Sequence, residues 1–377
     1  MGVLDGSGFH ESNRVLMTRI HGHDQALKSL RDALGSDRLH HAWIFSGPAG
    51  VGKRTVAVNF ASVLLDEAAK ATNLGQAEDA ILSEAGQLLA AGTHPDLHVL
   101  RKEDAAYSDN RTLRDRKQMN IPLDLLRERM IGGRTSDGKI REAPVYRTPV
   151  LGKRKVFIID EAELLDRTAQ NVLLKTLEEP PAGTTLILVT SRPTQLIATI
   201  KSRCQHLRFG TLDADAMNNW IEDQGPQLED KASLDWLVGW SGGSPGQFES
   251  AASHGVIEWA RNLTPMLDKA DSGQWQPELA AGMIEFVEQF SEIELAENAK
   301  ASKGAANREG VRQLLHLLGY HLRNRLARCE EGDKEACCAT IDLLSEIEQQ
   351  SESHLNLKQL LESLSAGWAS PETVPVS

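Results

Sequence analysis

Residues 47–55 read GPAGVGKRT, the composition of a loop that holds phosphate. Gly47, Gly50 and Gly52 let the backbone curl so that successive N–H groups face an anion, and Lys53 reaches β- and γ-phosphate oxygens. The next position ordinarily carries Ser or Thr, whose hydroxyl helps to hold Mg²⁺. Here it is Arg54, which has no lone pair to offer a cation. The hydroxyl of Thr55 comes one residue late, about 100° further round a helix, and is a poor substitute. The loop therefore reads as an ATP site with weakened magnesium placement.

Three further groups extend this chemistry. Asp160 and Glu161 end the apolar run KVFII. There the aspartate would hold Mg²⁺ through water and the glutamate would polarise the attacking water. The plainer alternative is an acidic first helical turn, favoured by the helix dipole. Thr190 and Ser191 end another apolar run, TLILV, where a hydroxyl could touch a γ-phosphate or the lytic water. Arg203, in TIKSRC, carries a planar and permanently charged fork that matches phosphate oxygens, although most arginines are only surface charges.

These groups require a particular scaffold. Residues 41–46, HAWIFS, read as a strand entering the loop, and 54–66 as a helix with Val56, Phe60, Val63 and Leu64 on one side. The runs before Asp160 and Thr190 are apolar on both faces, the mark of a parallel sheet covered by helices. In such sheets ligands bind beyond the C-terminal strand ends, where the loop, the acid pair and the hydroxyls all fall. The fold class expected is α/β: a P-loop sheet, then a small helical domain, then an all-α domain. Strands stop near residue 209. SGGSPGQ at 241–247 marks a turn between helices. Leu314, Leu315, Leu318 and Leu322, then Ile341, Leu344 and Ile347, then Leu357, Leu360, Leu361 and Leu364, have the spacing of a helical bundle. The boundaries expected are 1–209, with an insertion around 130–150, then 210–250 and 251–377.

At 377 residues the chain exceeds a single core, and its 41% apolar and 25% charged content is that of a globular protein. Its four cysteines, at 204, 329, 337 and 338, form no metal or redox spacing. With no signal-like N-terminus and no bilayer-length apolar run, a cytoplasmic protein without membrane contact is expected. The net charge of −12 argues against a uniformly basic nucleic-acid binder. It is unevenly spread, however: residues 101–155 hold 15 Lys/Arg against 8 Asp/Glu, and 211–377 hold 12 against 28. The basic stretch reads either as a solvated insertion, the reading we favour, or as a face for DNA or a clamp, with Arg127, Arg129 and Arg134 in contact.

The segment QNVLLKTLEEPP, followed by TTLILVTSRP and TIKSRC, resembles the clamp-loader branch of the AAA+ ATPases. The stretches IHGHDQALKSLRDAL, RLHHAWIFSGPAGVGK, AGTHPDLHVL, SGGSPGQ and HLNLKQLLESL resemble the delta-prime family of the bacterial DNA polymerase III clamp loader. The likeness covers 20–250 well and the C-terminal helices more loosely. It implies an AAA+ domain, a lid domain and a collar. It also implies that Arg203 is a trans arginine finger, reaching the γ-phosphate held by a neighbouring subunit. The implied partners are gamma/tau and delta subunits in a five-subunit ring, the sliding clamp, and primer–template DNA through the complex. The implied location is a bacterial, nucleoid-associated replisome. The resemblance further implies a component of the DNA-directed DNA polymerase holoenzyme that carries no polymerase active site of its own.

Departures from the family pattern qualify this. Residues 62–91 contain no cysteine, so the family's zinc site is not expected. The arginine that an active lid offers nucleotide is absent near Gln247. The expected role is a stator with little ATPase of its own. The alternatives are a gamma/tau-type motor, favoured by the intact Lys53, Asp160 and Glu161, and an unrelated AAA+ motor such as a branch-migration helicase, which LLKTLEEPP and SRC oppose.

Overall fold

A computed structural model describes residues 18–36, 39–76, 83–115, 119–226, 228, 230–297, 302–328, 334–351 and 356–369. The chain divides into two compact units. One comprises Met1–Gln227 with Ser241–Gln247, the other Leu228–Trp240 with Phe248–Ser377.

The first unit is built on strands β1 (Ala42–Ser46), β2 (Leu97–Leu100), β5 (Lys155–Ile159), β6 (Thr184–Thr190) and β7 (Gln205–Arg208), with a small hairpin of β3 (Gly133–Arg134) and β4 (Ile140–Arg141) set apart. The main sheet has the order β2-β5-β6-β1-β7 and every pairing in it is parallel. Every residue of β1, β5 and β6 is buried, which is why those runs lack the polar alternation of a half-exposed strand. Helices α1 (Asp24–Leu34) and α2 (Lys53–Leu65) cover one face, packing Leu27, Leu30, Val56 and Phe60 against Trp43, Phe45, Ile158 and Ile187. Helix α3 (Arg167–Glu178) and residues 121–130 cover the other, packing Leu125, Leu173 and Leu177 against Ile44, Phe157 and Leu188. This is a parallel α/β sheet with helices on both faces, and the phosphate-type loop, the acid pair and the terminal hydroxyls all lie at its C-terminal end.

The basic stretch between β2 and β5 folds as short helical turns and the β3–β4 hairpin, and two buried groups moor it. Lys155 donates through Nζ to the carbonyls of Pro144, Val145 and Arg147. Asp96 accepts the amides of Val150 and Leu151 at 2.8 and 2.7 Å. Many of its cations are already paired. Arg141 faces Asp109, Glu128 and Asp137; Arg127 faces Asp124 and donates to the Arg134 carbonyl; Arg129 faces Glu128. Much of the positive charge counted in the sequence is thus neutralised within the stretch.

Among the described residues no strand follows β7, and the second unit is helical: Val256–Asp271, Leu279–Glu297, Lys303–Leu326, Lys334–Ser351 and Leu357–Ala369 follow one another. Leu314, Leu318 and Leu322, and Leu360, Leu361 and Leu364, are buried as their spacing predicts. Gly310 lets two of these helices approach closely: a Cβ there would lie 3.1 Å from the Val287 carbonyl oxygen. Asp271 joins three helices. Its carboxylate accepts from Arg325 Nη1 at 2.7 Å, His321 Nε2 at 2.9 Å and Trp368 Nε1 at 2.9 Å. Asp268, Asp271 and His321 lie close enough to share a cation, but both Asp271 oxygens are already occupied by these donors, and the cluster reads as a structural tie.

Candidate nucleotide site

β1 delivers the chain into the loop at Gly47, and α2 starts at Lys53. Only glycine fits the first position. Its φ is +155°, and a Cβ would stand 2.2 Å from the carbonyl oxygen of Phe209. Gly50 and Gly52 also have positive φ, at +74° and +95°. Lys53 is buried, and its ammonium donates to the loop's own carbonyls at Gly47 (2.8 Å) and Pro48 (2.5 Å). Burial pulls its pKa down, against the opposing pull of Glu163 and Asp160.

The turn at 241–247 closes directly on this loop. The Gly246 amide donates to the Gly50 carbonyl at 2.9 Å, and Ser244 Oγ donates to that of Ala49 at 3.0 Å. From the other side His23 Nε2 meets the Val51 carbonyl at 2.7 Å while its ring stands edge-on to Phe209. Burial lowers the His23 pKa, so the ring is neutral near pH 7 and donates through a protonated Nε2. Gln247 adjoins the loop with no charge to offer, and among the described residues its buried side-chain oxygen has no hydrogen-bond partner.

The acid pair is engaged by the chain's own cations. Asp160 Oδ2 is 3.4 Å from Arg54 Nη1, and Oδ1 accepts the Glu161 amide at 3.1 Å. Glu161 has a left-handed backbone, φ +48°, of the kind stored at functional sites. Lys102 lies 2.9 Å from its Oε1 and 2.8 Å from its Oε2. Burial pushes the Glu161 pKa up, with Lys102 opposing. Ser191 donates through its amide and Oγ, at 3.1 and 2.7 Å, to Glu163. Burial opposes ionisation of Glu163, but hydrogen bonds from Ser191 and Thr190 prevail and hold its pKa low.

The structure thus brings Gly47, Gly50, Gly52, Lys53, Asp160, Glu161 and Ser191 to one end of the sheet. Thr55, half-buried on α2, has no hydrogen bond to the acid pair. Arg203 is elsewhere. It lies just before β7, whose Gln205 is level with Trp43 of β1, so it belongs to the N-terminal end of a parallel sheet. The rise of the intervening strand, about 3.3 Å per residue, separates it from the loop by about 15 Å or more. Its guanidinium rests on Glu178 at 2.7 Å and on the Thr199 carbonyl at 3.0 Å.

The family model described as "DNA polymerase III, delta subunit" matches residues 22–213, from the approach to α1 through the whole main sheet. The chain belongs to that family. A DNA polymerase III subunit delta′ of Pseudomonas aeruginosa is 36% identical over 64% of this chain and 64% of its own length. A subunit delta′ of Bacillus subtilis is 28% identical over 53% of this chain and 51% of its own length. A tau/gamma subunit of Haemophilus influenzae is 32% identical over 51% of this chain, but that is only 23% of the relative. The chain therefore spans less than two thirds of each of these relatives.

Four members of the site in this delta-family chain were not legible in the sequence: Lys102, Glu163, His23 and Ser244. Lys102 comes from the basic stretch, where nothing distinguishes it from its neighbours. Glu163 lies two residues past the acid pair, and that short spacing was the only available signal. Among the described residues no helix is long and apolar enough to cross a membrane.

Proposed function

We propose that this chain is the delta-prime, stator subunit of a bacterial DNA polymerase III clamp loader. It contributes Arg203 to the ATP site of a neighbouring subunit and hydrolyses little or no ATP at its own. The observation that carries the reading is the separation just described. Arg203 stands at the opposite end of the sheet from its own phosphate-type loop, so any nucleotide it serves belongs to another chain. A permanently charged fork at a subunit edge suits a developing γ-phosphate charge. The half-exposed ion pair with Glu178 is weak enough to exchange for that phosphate.

The remaining partners follow from the same reading. Gamma/tau and delta subunits complete a five-membered ring, the helical unit supplies the collar, and the 210–250 region acts as the lid. The assembly opens a sliding clamp and places it on primer–template DNA in the cytoplasm, at the replisome. The neutralised cations of 101–155 favour DNA contact through the complex over a dedicated basic face. The rival reading, a gamma/tau-type motor, draws on the retained Lys53, Asp160 and Glu161; the cations set against both carboxylates oppose it.

The test is Arg203→Ala in the reconstituted complex. Assembly should be retained while ATP turnover falls by roughly 10³-fold at the site the finger serves. An unchanged rate removes the finger. Rapid turnover by the isolated chain, abolished by Lys53→Ala, favours the motor instead.

A further inference from the structure

The glycine cradle and Lys53 fit a phosphate, but the metal position beside them does not fit Mg²⁺. That ion requires near-octahedral oxygen ligands at about 2.0–2.1 Å. The side chain that should supply one is Arg54, which has five N–H donors and no lone pair. Nor is Asp160 free to serve: Oδ2 is 3.4 Å from Arg54 Nη1, and Oδ1 accepts the Glu161 amide. The Glu161 carboxylate that would polarise water is spanned at both oxygens by Lys102 Nζ, at 2.9 and 2.8 Å. Lys53, in the loop, and Arg54 and Lys102, against the acid pair, thus put three cations at this end of the sheet, where a motor relies on one lysine and a metal. Arg54 remains 54% exposed despite its pairing, so its fork can still turn to a phosphate.

We propose that this loop site binds a nucleoside di- or triphosphate without a divalent cation, Arg54 taking the metal's place against Asp160 and Lys102 occupying the Glu161 carboxylate so that it does not polarise an attacking water. Bound nucleotide then stiffens the loop and the 241–247 turn clasped to it, and is not turned over. The inference rests on residues 47–53 being a nucleotide pocket and is independent of what Arg203 does.

The experiment is a titration of the purified full-length chain with a fluorescent ATP analogue, in Mg²⁺ and in excess EDTA. The wild-type dissociation constants should agree within about threefold, because a permanent guanidinium replaces the ion. Arg54→Ser, which restores the usual hydroxyl, should weaken binding in EDTA by about tenfold or more and recover it in Mg²⁺. Arg54→Lys keeps the charge and should stay insensitive to EDTA. A tenfold loss of wild-type affinity in EDTA, or no saturable binding in either buffer, overturns the proposal. So does an Arg54→Ser variant, folded by circular dichroism, that binds like wild type in EDTA. Either failure leaves the Arg203→Ala assay standing, and a failed Arg203 assay leaves this one standing.

Discussion

Replacing Gly47 or Gly52 by alanine separates the two reasons a phosphate-type loop needs glycine. Gly47 has φ +155°, and its Cβ would lie 2.2 Å from the Phe209 carbonyl oxygen and 3.0 Å from its carbon. That carbonyl cannot easily retreat, because the Phe209 amide is bound to Ser46 O at 2.8 Å and continues the β1–β7 pairing. Gly52, at φ +95°, would place its Cβ in open space. Backbone strain costs about 1–3 kcal/mol at either position. Gly47→Ala must in addition displace strand-end hydrogen bonds worth about 0.5–1.5 kcal/mol each. Gly47→Ala should therefore exceed Gly52→Ala by about 1–3 kcal/mol. With two compact units in the chain a global melt is not two-state, so the assay is hydrogen exchange of peptides spanning β1 and the start of α2. Exchange in Gly47→Ala should be about tenfold or more faster than in Gly52→Ala. Equal acceleration in the two variants would refute the clash and leave strain alone as the reason for both glycines.

Asp271→Ala should destabilise the helical unit by about 3–5 kcal/mol, since it strands the Arg325 guanidinium and the buried Trp368 N–H. Loss of exchange protection in 256–271 and 357–369, less severe in Asp271→Asn, is the readout; an effect under about 1 kcal/mol sinks the tie. His98, stacked on Phe157 with ring centroids 4.4 Å apart, is held neutral by burial, which lowers its pKa from 6.5 to about 4. The unfolded chain takes up this proton first. The stability it contributes is therefore full above pH 6.5 and lost as pH falls towards 4, by up to about 3 kcal/mol. Burial lowers the pKa of His23 and His94 in the same sense, so His98→Phe should flatten the acid limb of the urea midpoint against pH without abolishing it. An unaltered slope would show that His98 does not titrate across folding.

The local chemistry was readable from residue order alone. Three glycines and a lysine between an apolar run and an amphipathic segment define a phosphate cradle. Runs apolar on both faces define buried parallel strands, and the leucine spacing beyond residue 310 defines packed helices. These are statements about periods of two and 3.6 and about backbone freedom, and neighbours in the chain carry them. That Arg54 departs from the usual hydroxyl was equally plain, but not what it would touch.

Its partner, Asp160, is 106 residues away; Lys102 meets Glu161 across 59, and Ser244 meets Ala49 across 195. The Lys102–Glu161 pairing exists because the strand order places β5 beside β2, which brings the residues following β2 beside the end of β5. The same parallel order sends Arg203 to the far end of the sheet from the loop. The sequence by itself determined which groups could handle a phosphate. Only the tertiary structure decided that Arg54 and Lys102 stand against the acid pair and that Arg203 faces away from it, because sheet order and parallel direction are set by long-range packing, which no local pattern records.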